Sequence, residues 1–136
     1  MLFRSGSAET EELKAALTAA RAQEVDVPMY IGKEEVRTNN TVRMAPPHDH
    51  AHTLGHFHRG GKEHVQQAID AALAAREKWA NTPWQDRAAI FLKAADLLTT
   101  SYRAKLNVST MLGQSKTVFQ AEIEAACELE IGRAHV

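Results

Sequence analysis

The stretch AIDAALAAREKWANTPWQDRAAIFLKAADLL, Ala68 to Leu98, decides how the rest of the chain is read. Apolar residues recur at helical spacing through Val65, Ala68, Ile69, Ala72, Ala75 and Trp79, which predicts one long helix from about Lys62. A second helix opens at TPWQ, with Thr82 as the expected N-cap, Pro83 at the first helical position and Gln85 completing a capping box. Its apolar stripe is Trp84, Ala88, Phe91, Ala95 and Leu98. Alanine supplies 23 of the 136 residues, most of them in such helical patterns. It favours helix but buries little area. Helices of this kind make a thin core, and they are expected to lie against the rest of a larger protein.

On the N-terminal side, residues 7–22 predict a helix capped by Ser7, with acidic first turns and one face formed by Leu13, Ala16, Leu17 and Ala20. Residues 28–37 predict a hairpin turning at Gly32-Lys33, and further strands are expected at 41–44 and 53–58. On the C-terminal side a helix from Arg103 is expected to stop at Gly113. Another follows Ser115, with Phe119, Ile123, Ala126 and Cys127 on one side. The fold is therefore read as mainly α-helical, with short strands between about residues 28 and 58.

The formal charge of −1 gives no basic field to attract nucleic acid or an anionic membrane surface. No apolar run approaches the roughly 20 residues that span a bilayer. A lone Cys127 excludes an internal disulfide framework and suits a reducing compartment.

Six of the seven histidines fall between Pro46 and His64, in PPHDHAHTLGHFHRGGKEH. On an extended strand His48, His50 and His52 would share one side and suit zinc, with Asp49 or Asp70 as an oxygen ligand. Pro46-Pro47 and Asp49 favour a turn, which breaks that alternation. His56 and His58 share a face with Leu54, and His64 lies in the first turn of a helix. Neither a cysteine pair nor a His-Glu-x-x-His spacing accompanies them. The favoured reading is a solvated strand and turn.

Cys127 sits among alanines, well into its helix, where nothing in the sequence lowers a thiol pKa. It reads as a buried helix residue, the usual fate of a free cysteine. LGQSKT, Leu112 to Thr117, ends like a phosphate-binding loop but lacks the earlier glycine and follows a helix. The dinucleotide fingerprint G-x-G-x-x-G is absent. Glu122 and Glu124 read as a solvated helix face. No catalytic, cofactor-binding or metal-binding residue is assigned in this chain.

The opening stretch, with Arg87 and Lys93 to Leu98, resembles the first helical pair of the aldehyde dehydrogenase superfamily. Two further stretches, PPHDH (Pro46 to His50) and TMLGQSKTVFQAEIEAACEL (Thr110 to Leu129), resemble its 1-pyrroline-5-carboxylate dehydrogenase branch. The likeness runs from about Gly6 to Leu129. It implies an α/β fold and a parent enzyme of proline catabolism that oxidises L-glutamate 5-semialdehyde to L-glutamate with NAD. In that family a cysteine thiolate attacks the aldehyde, hydride passes to NAD, and a glutamate-activated water hydrolyses the thioester. An Asn side chain and a backbone N–H hold the oxyanion.

The resemblance places all those groups downstream of this stretch, so none is transferred to a residue here. It also implies a homo-oligomer when complete. The location is bacterial cytoplasm or mitochondrial matrix according to source, and no nucleic-acid or membrane partner is expected. Residues 130–136, EIGRAHV, and 1–5, MLFRS, depart from the family and read as translated sequencing adapter. Residues 6–129 are thus expected to be an N-terminal segment with foreign ends. Two other readings stand beside this one: a small His-rich metal-binding protein, and a self-contained helical interaction module.

Overall fold

The computed structural model describes residues 6–128. The expected foreign ends, together with Leu129, lie outside the described residues. Helix α1, Ala8–Arg21, begins where the sequence predicts, with Ser7 Oγ accepting the Thr10 N–H. Glu9 and Glu11 in its first turn and Arg21 in its last complement the helix dipole.

Strand β1, Val25–Val27, follows, and then the predicted hairpin of β2, Met29–Ile31, and β3, Glu34–Val36. The hairpin turns through Gly32 at a φ of 63°. Strands β4, Thr41–Met44, and β5, Gly55–His58, pair antiparallel, and β5 also pairs in parallel with β1, giving the order β1-β5-β4. The sequence reading misses β1, because three residues before a proline carry no usable alternation. It forms because β5 lies alongside. That approach requires glycine: at Gly55 the φ is 147°, and a Cβ there would meet the Val25 carbonyl oxygen at 2.0 Å.

Helix α2 spans Lys62–Asn81 and α3 spans Trp84–Thr99. Thr82 is not the cap of α3. Its hydroxyl donates to the Lys78 carbonyl at 2.8 Å, closing the end of α2, while Pro83 takes the N-cap position without a side-chain bond. The expected capping box through Gln85 is therefore not formed. Helix α4, Arg103–Gln114, runs past Gly113, and the chain turns instead at Ser115, a non-glycine residue at φ 57°. Thr117 and Gln120 then form a capping box for the short α5, Val118–Ala121, which continues as a π-helical turn over Glu122–Cys127.

The core is small. Leu13, Val108 and Leu112 are buried together, with Ala16, Leu17, Ala20, Leu54, Met111 and Val118 packed around them. It joins α1 to α4 and to α5, as the apolar face read for α1 requires. Helices α2 and α3 contribute little to it. No residue of α2 is buried, and Ala95 alone is buried in α3.

Candidate functional site

Three polar clusters and one apolar face hold what chemistry the described residues offer. The most enclosed cluster joins α4 to the π-helical turn. Arg103 and Asn107, one turn apart on α4, both donate to the Glu122 carboxylate, Asn107 Nδ2 at 2.6 Å. Glu122 is 8% exposed and Asn107 fully buried. This corrects the reading of Glu122 as a solvated carboxylate: two donors on α4 draw it inward. In turn Glu122 raises the Arg103 pKa. The Asn107 Oδ1 atom is buried with no hydrogen-bond partner. Glu124 is half-buried and takes Lys116 as its ion partner.

Burying Glu122 also fixes which face of this segment packs. Ala121 and Ala125 turn inward with it, small enough for close contact with α4, whereas Phe119, Ile123 and Cys127 are exposed. The side on which the sequence places Phe119, Ile123 and Cys127 is thus the outer one, and Cys127 is not the buried thiol that its setting among alanines suggests.

The second cluster ties the hairpin to the three-stranded sheet. Asp26 accepts from Arg37 Nε and from His58 Nε2, both at 2.8 Å. Arg37 also reaches Glu35, which accepts from the Tyr30 hydroxyl. Arg37 first, then His58, holds the Asp26 carboxyl below its ordinary range; Arg37 and Tyr30 do the same for Glu35. His58 Nδ1 lies 2.9 Å from the Thr38 amide nitrogen. Its ring is 8% exposed, so it is a structural strand residue and not the solvated one expected.

The remaining histidines are dispersed. His48 Nδ1 is 2.7 Å from Ser115 Oγ, in the third cluster, where Arg21 also meets Asp49. His64 Nδ1 accepts the Gly61 N–H at the start of α2. Among the described residues no three His, Cys, Asp or Glu side chains are placed to hold a metal ion.

The apolar face is formed by α2 and α3. Val65, Ile69 and Leu73 on α2, and Trp84, Ile90, Phe91 and Leu92 on α3, are all exposed, Trp84 at 67%. Trp79 meets the Phe91 ring edge-on at 6.5 Å, under the Arg87 guanidinium. Large apolar side chains left exposed in this number are more than the scattered surface residues of a monomer need.

The aldehyde dehydrogenase family profile matches residues 34–133. This chain belongs to the aldehyde dehydrogenase family. It is 51% identical over 128 residues to delta-1-pyrroline-5-carboxylate dehydrogenase of Agaricus bisporus, an alignment covering 93% of this chain and 23% of that protein. Identity to the human mitochondrial delta-1-pyrroline-5-carboxylate dehydrogenase is 43%, over 95% of this chain and 23% of that one. The crystal structure of the Mycobacterium tuberculosis enzyme bound with NAD and cobalamin superimposes with a TM-score of 0.93 at 36% identity. That match covers 97% of this chain and 25% of the solved one. The chain spans about a quarter of the length of the relatives it matches.

The start of α2 is not arranged to receive a dinucleotide phosphate. At the start of α2, the longest helix, the Gly61 N–H is already taken by His64 Nδ1, and the Glu63 carboxylate sits against the His64 ring. A negative side chain there opposes a phosphate. The only parallel pairing among the described residues is the three-residue one between β1 and β5, with no glycine-rich turn behind it. No helix among the described residues is long and apolar enough to cross a membrane.

The Arg103–Asn107–Glu122 cluster is absent from the sequence reading. One signal for it exists: Asn107 stands between Leu106 and Val108 on the inward side of a helix, where an amide needs a polar partner.

Proposed function

We propose that this chain is the N-terminal segment of an NAD-dependent aldehyde dehydrogenase of the 1-pyrroline-5-carboxylate branch. The parent enzyme converts L-glutamate 5-semialdehyde to L-glutamate, with NAD accepting hydride and water supplying the oxygen. It acts in proline catabolism, in the mitochondrial matrix or the bacterial cytoplasm according to source, and assembles as a homo-oligomer. The chain itself contributes scaffold and a docking face, with no catalytic or cofactor-binding residue.

The observation that supports this reading most is the pairing of a well-formed fold with an uncovered face. Helices α2 and α3 hold their positions with almost nothing buried, in an arrangement that a solved dehydrogenase four times longer also adopts. Such a face is stable when the remaining chain covers it. The test uses two proteins, this chain and the full reading frame restored from its source. With NAD and glutamate semialdehyde the full protein should produce NADH steadily, and the 136-residue chain should produce none. NADH formation by the short chain, abolished by Cys127→Ser, would overturn the proposal. The purified short chain should be helical by far-UV circular dichroism yet prone to associate.

A further inference from the structure

We draw no further inference here: the strongest candidate, the apolar groove of about 400 Å³ between α1, β1 and α4 lined by Ala16, Ala20, Val25, Leu54 and Val108, carries nothing because no feature of the structure shows what covers it.

Discussion

Two helical regions of this molecule behave differently. Helices α1 and α4 meet through Leu13, Val108 and Leu112, and Glu122 locks the following turn to α4 through two donors. Helices α2 and α3 are longer and far richer in alanine than α4, but their large side chains face outward. Helix propensity does not explain this, since α4, with Asn107, Val108, Ser109, Thr110 and Gly113, holds the weaker helix formers. Packing is what separates them, since most helical stability in proteins comes from a buried face and not from propensity. The lesson is that an apolar stripe at helical spacing records a face meant to be buried, without recording which partner buries it.

The comparison can be broken first in the core. Leu112→Ala should lower the opening free energy of the α4 amides by about 3 kcal/mol, as for other buried leucines cut back to alanine. Ile69→Ala, on the exposed face of α2, should leave the isolated chain unchanged but cost about 2 kcal/mol in the full-length parent. Hydrogen exchange reads both. Equal effects of Ile69→Ala in the two proteins would show that the α2 face has no partner.

The next largest effect belongs to the polar lock. Breaking a buried ion pair costs about 3–5 kcal/mol. With Arg103 25% exposed, solvent offsets part of that, so Glu122→Leu should cost about 2 kcal/mol. The loss should centre on the exchange of amides 118–128, leaving α2 unaffected. A uniform change across all helices would contradict a local role.

These regions also show what the sequence made legible. The α1 face, the hairpin at Gly32 and the start of α2 follow from caps, turn residues and periodicity, each a local signal. The failures share another cause. Glu122, His58 and Cys127 were each placed by what their residue type usually does, whereas their burial is set by neighbours distant in sequence. Glu122 is drawn in by α4, and His58 by Asp26, 32 positions away. Cys127 faces outward because Glu122 and the alanines occupy the inner side of the same turn. Helix α4 runs to Gln114 and the chain reverses at Ser115 and not at Gly113, two residues before the next cap at Thr117.

A smaller effect sharpens the comparison through acid. Asp26 and Glu35 have lowered carboxyl pKa values in the fold, chiefly from Arg37. Their contribution is complete above the ordinary carboxylate range and is lost as pH falls through the lowered folded values. The hairpin β2–β3 should therefore loosen in acid before α1 and α4 do, and Asp26→Asn should flatten that response. Nuclear magnetic resonance shifts of Tyr30 and Val36 across an acid titration would follow it. An unchanged profile in Asp26→Asn would remove the cluster from the account.

The smallest expected effect is at Cys127. As an exposed residue its replacement by alanine should change stability by less than about 0.5 kcal/mol. In the restored parent enzyme, Cys127→Ala should leave turnover within a few-fold. A folded variant with activity reduced by orders of magnitude would mean that Cys127 is the nucleophile.

The measurement closest to the central claim is amide hydrogen exchange of α2 and α3 in the 136-residue chain and in the full-length parent, under identical conditions. In the short chain, Lys62–Asn81 and Trp84–Thr99 should exchange far faster than α1 and α4, since little holds them. In the parent they should rise to the protection of α1 and α4, because the remaining chain covers the face of Ile69, Trp84 and Phe91. If α2 and α3 are as protected in the short chain as in the parent, the segment is complete without a partner and the docking account is wrong.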